Sequence, residues 1–197
     1  MDPALEQMLE GCKKGDRASQ KALYDGYFNQ LMGIAVRYVN TQVDAEEVLN
    51  NAFLRIFRHI NKYSGKGSFE GWMKKIVVNC CLTFISRPNY KSQSKIIALK
   101  EYQLTGESNL DTADAGFKNN CIEEKYDKEY LLQLIRHLPE TTRLVFNLYV
   151  FEEYNHQEIG ELLDMAERTS QSHLAKARKI LSTQIDKNKL ISKMQRV

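Results

Sequence analysis

Apolar residues recur along most of this chain at a spacing near 3.6, the periodicity of helices that each bury one face. Leu5, Met8, Leu9 and Cys12 share a face of a first helix, with Asp2 placed to cap it, Pro3 in its first turn, and Gly11 to Gly15 to end it. A long second helix opens at Asp16 and buries Ala22, Leu23, Tyr27, Leu31, Ile34, Ala35 and Tyr38. A third runs from Asp44 with Ala45, Val48, Leu49, Ala52, Phe53, Ile56 and Ile60 inward, and the Gly-rich Ser64-Gly65-Lys66-Gly67 stops it as a loop. Ser68 caps a fourth, whose inner face is Phe69, Trp72, Met73, Ile76, Val77, Cys80 and Phe84 and which Pro88 ends.

From Arg87 to about Ile122 the periodicity fades into polar residues, with Ile96 to Leu99 offering at most one helical turn. It returns with Tyr126, Tyr130, Leu131, Leu134, Ile135 and Leu138, and Pro139 opens a helix carrying Val145, Phe146 and Tyr149. Asn155 with Glu158 forms a capping box for the next helix. A final helix holds Leu174, Ala177, Ile180 and Leu181 inside, with Gln171, Ser172, Ala175, Lys176 and Lys179 outside. The tail from Asp186 to Lys193 either extends this helix or frays. The expected fold is all-α: two small helical domains, an N-terminal bundle at 1–87 and a helix-turn-helix domain at 122–197, joined by a flexible linker at 88–121.

Composition narrows the chemistry. Of 197 residues 43% are hydrophobic and 27% charged, enough apolar material for one ordinary domain or two small ones. A net charge of +3 tilts the partner toward a polyanion, but too weakly for tight unaided DNA binding. Cys12, Cys80, Cys81 and Cys121 form no CxxC pair, which suggests neither a zinc site nor a disulfide framework and fits a reducing, cytoplasmic setting. The acidic N-terminus has no apolar signal region, and no apolar run approaches a membrane span, so no membrane contact by the chain itself is expected. One Glu153/His156 pair falls short of a di-iron set, and Asp44, Glu46, Glu47 and His59 assemble no recognisable catalytic group. No catalytic residue, metal, cofactor or small-molecule substrate is expected.

In a helix-turn-helix the second helix enters the major groove, so its outer face should carry small or polar side chains flanked by basic ones. The stretch from Arg168 to Arg178 does so, although a basic surface helix is also common in structural bundles. Across nearly the whole chain, the motifs Leu138-Pro139-Glu140, Tyr154 to Leu163 and Ala175-Lys176-Ala177-Arg178 resemble region 4 of the extracytoplasmic-function (ECF) sigma factors of bacterial RNA polymerase. Asp44 to Val48, Phe53 to Arg58, and Phe69 to Ile76 with Asn79 resemble their region 2.

This resemblance implies that the N-terminal bundle binds the polymerase clamp and the minus-ten promoter element. The C-terminal domain then binds the minus-thirty-five element and the polymerase flap, and an anti-sigma factor covers these surfaces until release. By alignment, Asp44, Glu46, Glu47, Asn50, Asn51, Leu54 and Arg55 face core polymerase, where carboxylates can pair with basic groups. Asp44 and Glu47, three apart at a helix start, suit a capping box better than an interface, which leaves Glu46, Asn50, Asn51, Leu54 and Arg55 as the stronger interface residues. The loop Lys62, Tyr63, Ser64, Gly65, Lys66, Gly67 and Ser68, with Asn79, aligns with the base-capturing element. There glycine permits close approach, lysine attracts phosphate, and an aromatic ring gives stacking of about 1–3 kcal/mol per base.

Trp72 matches a family tryptophan but sits in the apolar stripe, which points to core packing. The resemblance implies that Gln171, Ser172, Ala175 and Lys176 lie toward base edges, and Arg168, Thr169, His173 and Arg178 near phosphates. The turn Leu163-Asp164-Met165-Ala166 departs from the family in lacking glycine. Two other readings of the residues stand beside this one. The first is a stand-alone helix-turn-helix regulator, which would have to hold DNA unaided despite the modest charge; the second is a module that binds only protein.

Overall fold

The computed structural model describes residues 3–65, 67–88, 90 and 128–194, and all of its regular structure there is helical. The chain divides into two compact units, Met1–Lys125 and Tyr126–Val197. The first contains α1 (Pro3–Lys13), α2 (Arg17–Tyr38), α3 (Gln42–His59), a 3-10 turn (Ile60–Lys62) and α4 (Phe69–Ile85). The second contains α5 (Lys128–Arg136), α6 (Glu140–Val150), α7 (His156–Leu163) and α8 (Glu167–Met194). The expected Asp2 cap, the turn at Ile96 to Leu99, Cys121 and Tyr126 lie outside the described residues.

In the first unit α2, α3 and α4 pack on one another, and α1 lies against α2. Leu23, Leu31, Leu49, Ile56, Met73 and Val77 are fully enclosed. Each such side chain contributes roughly 1.5–3 kcal/mol through burial. Short polar caps set the helix starts. The Asp16 carboxylate accepts from both the backbone and the hydroxyl of Ser19, which holds its pKa below the ordinary value. Ser68 Oγ accepts from Gly71 N at 3.0 Å and starts α4.

Three details differ from the sequence expectation. Helix α3 begins at Gln42, two residues before Asp44, because Thr41 is its cap. Ala22, assigned to the buried stripe of α2, is exposed, since the stripe there is carried by Leu23 and the half-buried Tyr27. Trp72 is half-buried, packed against Tyr63 and Phe69 at ring distances of 5.7 and 5.6 Å, at the edge of the core.

In the second unit α8 forms the spine on which α6 and α7 pack. Val145, Leu148, Ile159 and Ala177 are enclosed, and so are the polar Thr142, Arg143, Asn147 and Ser170. Arg143 donates through a guanidinium nitrogen to the Arg136 carbonyl at 3.1 Å, bonding the end of α5 to α6. The capping box at α7 is complete: Glu158 N donates to Asn155 Oδ1 at 2.9 Å, and Asn155 N donates to the Glu158 carboxylate at 2.8 Å. Helix α8 continues to Met194, so the tail extends it.

Candidate polymerase and nucleic-acid interfaces

Helix α3 turns a mixed face outward. Glu46, Glu47, Asn50, Leu54 and Arg55 are exposed, Asp44 and Asn51 half-buried, and Leu54 keeps 64% of its surface accessible. Val43, 75% exposed, lies on the same stripe as Glu47, Asn50 and Leu54. It was legible only as an apolar residue lying off the buried stripe.

The capping box proposed for Asp44 and Glu47 is not the one that forms. Thr41 Oγ1 accepts from Asp44 N at 3.1 Å and donates to the Asp44 carboxylate at 2.7 Å, so Asp44 is the third residue of the helix and Thr41 its partner. Glu47 instead accepts from the Arg87 guanidinium at 2.8 Å, bridging α3 to the end of α4, while Arg87 also lies 4.8 Å over the Phe84 ring. Glu46 accepts from Gln42 Nε2 at 3.1 Å.

The loop before α4 is pinned. Gly65 and Gly67 hold φ of +75° and +81°, conformations that favour glycine, and the Tyr63 hydroxyl donates to the Gly67 carbonyl at 2.8 Å. The Tyr63 ring packs edge-on against Phe69 at 5.2 Å. Lys62, Ser64, Gly65, Gly67 and Ser68 are exposed; Lys66 lies outside the described residues. Asn79 is exposed on α4, seven residues on from Trp72 and therefore on its face, with exposed Lys75 between them. Burial pushes the Cys12 and Cys80 thiols up, away from the reactive thiolate form.

The turn between α7 and α8 manages without the usual glycine. Asp164 itself adopts the left-handed conformation (φ 53°, ψ 55°), which short polar residues tolerate best after glycine. The need for a missing side chain falls one turn earlier. Met165 N donates to the Gly160 carbonyl at 3.0 Å, and a Cβ on Gly160 would meet the Met165 carbonyl oxygen at 2.6 Å.

Beyond the turn, Arg168, Thr169, Gln171, Ser172, Ala175, Lys176 and Arg178 are exposed along α8. Gln171 Nε2 donates to the Glu167 carboxylate at 3.2 Å, leaving its carbonyl oxygen toward solvent as an acceptor. His173, assigned to phosphate contact, is half-buried, and its Nδ1 lies 3.0 Å from Thr142 Oγ1.

Among the described residues no group of three His, Cys, Asp or Glu side chains is placed to hold a metal, and no helix is long and apolar enough to cross a membrane. Glu153, with φ of 60°, precedes α7 and so cannot form a helical pair with His156.

The family model for sigma-70 region 2 matches residues 23–89, and that for sigma-70 region 4 matches residues 128–181. An ECF RNA polymerase sigma-E factor of Haemophilus influenzae is 22% identical over 91% of this chain and 94% of its own length. The ECF RNA polymerase sigma factor SigW of Bacillus subtilis is 23% identical over 94% and 98%. Among solved structures, the sigma factor RpoE of Bartonella quintana, in complex with the anti-sigma factor NepR, matches with a TM-score of 0.51 at 13% identity, over 84% of this chain and 96% of that one. The chain belongs to the sigma-70 family of RNA polymerase sigma factors, in its ECF group. Sigma factors are non-catalytic transcription initiation factors. Membership removes the stand-alone regulator and the purely protein-binding module from contention.

Proposed function

We propose that the division of labour runs along the two units, with residues 1–87 binding core polymerase and the minus-ten element, residues 122–197 binding the minus-thirty-five element, and residues 88–121 joining them. Core polymerase contacts the outward face of α3, through Asp44, Glu46, Glu47, Asn50, Asn51, Leu54 and Arg55. The loop from Lys62 to Ser68, with Asn79, captures unstacked bases of the melted strand. Two weak binding domains on one chain gain affinity through effective concentration, which suits a subunit that carries only +3 net charge.

The observation that carries this reading is the surface of α8. Following a helix-turn-helix turn, it exposes Gln171, Ser172, Ala175 and Lys176 together, while Leu174 and Ala177 are buried behind them. Gln offers an amide to adenine and Lys a donor to guanine. The chain performs no catalysis of its own and acts in the cytoplasm. An anti-sigma factor is a further partner, as NepR is for the Bartonella relative.

The test is co-purification with bacterial core RNA polymerase, followed by transcription in vitro on a genomic promoter pool. Protein-dependent start sites sharing two spaced elements are expected, and the pair Gln171→Ala with Lys176→Ala should abolish preference for the upstream element while polymerase still co-purifies. Equal loss of both activities would remove α8 from the base-reading role.

A further inference from the structure

Helix α8 is held by more than apolar packing. Two imidazole-hydroxyl hydrogen bonds fasten its inner face to different helices. His156 Nδ1 of α7 lies 2.9 Å from Ser170 Oγ, and His173 Nδ1 lies 3.0 Å from Thr142 Oγ1 of α6. Ser170 and Thr142 are 0% and 1% exposed, so water cannot take over either bond, and breaking one strands a buried hydroxyl. His156 is confined from its other side as well, because the Tyr149 ring stacks on it at 4.6 Å.

The two fastening points on α8, Ser170 and His173, are three residues apart on its inner side, away from Ser172 and Ala175 at the centre of the exposed face. Apolar contacts such as those of Leu174 resist separation but discriminate poorly between nearby rotations, whereas a hydrogen bond weakens steeply with distance and angle. A rotation of about 20° moves a side-chain tip by roughly 2 Å at the radius of a helix, enough to break a base contact.

We propose that the His156–Ser170 and His173–Thr142 bonds fix the rotational phase of α8, making His156 and Thr142 positioning residues for sequence discrimination. This rests on α8 being the helix that reads DNA. It reassigns His173 from the phosphate-facing side to an internal tether.

The experiment uses the full chain assembled with core polymerase and a duplex pool randomised across the upstream element. Wild type enriches a motif. The double variant Ser170→Ala, Thr142→Val is expected to lose about three- to tenfold of its discrimination between that motif and random duplex, with binding to random duplex at low salt unchanged. His156→Asn, whose amide reaches the position of Nδ1, should retain discrimination that His156→Leu loses. Equal loss in the Asn and Leu variants, or full discrimination in the double variant, overturns the phase-setting role. Failure of the wild type itself to enrich any motif overturns the reading of α8, and the proposal with it.

Discussion

Among its described residues the N-terminal unit buries only apolar, sulfur-bearing and aromatic side chains, whereas the C-terminal unit places Thr142, Arg143, Asn147 and Ser170 in its interior. Length accounts for much of this. Helices α2, α3 and α4 run 22, 18 and 17 residues and bury broad faces against one another, while α5, α6 and α7, which pack along the 28-residue α8, have only 9, 11 and 8. Small units cannot enclose enough apolar surface to specify a single packing, and directional bonds to buried polar groups supply the missing definition. The consequence differs between the two surfaces. The outer face of α3 and the loop before α4 are shaped by caps, turns and the packing of Tyr63 on the core residue Phe69, whereas the outer face of α8 is tied through buried hydroxyls to α6 and α7.

The sharpest way to break the comparison is one substitution made in both units. Gly160→Ala places a methyl 2.6 Å from the Met165 carbonyl oxygen, and backbone cannot move aside without opening the turn before α8. A loss of about 1–3 kcal/mol is expected from such overpacking, read as a lowered urea midpoint. Gly26→Ala, in the interior of α2 with nothing within 4 Å of the new methyl, should raise stability by about 0.4–1 kcal/mol, because the unfolded chain loses more freedom than the native helix. A Gly160→Ala protein as stable as wild type would show that the turn yields and that the close approach of Gly160 to Met165 does not constrain it.

Much of this was legible because it is local. The stripe Ala45, Val48, Leu49, Ala52, Phe53, Ile56 and Ile60 is buried as its period requires, and Asn155 with Glu158 closes the capping box that its spacing implies. What escaped depends on partners distant in sequence. Nothing near Glu47 announces Arg87, 40 residues away, and the imidazole of His173 finds Thr142 only once α6 and α8 have packed. His173 adjoins Leu174 at the margin of the buried stripe, where periodicity alone does not decide between inside and outside. The candidate surfaces were readable as exposed polar positions; the bonds that orient them were not. The absent glycine at 163–166 misdirects in the same way, since the conformation it signals is supplied by Asp164 and the close approach by Gly160, a turn earlier.

The smallest expected effect tests whether exposed polar contacts in the N-terminal unit add anything to its apolar core. Glu70 on α4 bonds Lys74 of the same helix and accepts from Gln30 Nε2 of α2 at 2.7 Å. The Lys74 hydrogen bond, and then its charge and the Gln30 contact, hold the Glu70 carboxyl below its ordinary value of 4.5. A carboxylate with a depressed folded-state pKa stabilises the protein above its unfolded value and loses that contribution as pH falls through the folded one. Glu70→Gln should therefore be less stable than wild type at neutral pH, and the difference should close on acidification below about pH 4. Both side chains of the pair are about 40% exposed, so screening limits the difference to less than about 0.5 kcal/mol, and added salt should shrink it further. Urea midpoints of the two proteins between pH 7 and pH 3 measure it. A gap that stays constant across that range would show that the carboxylate charge is not its source, leaving the ion pair without effect on the N-terminal unit.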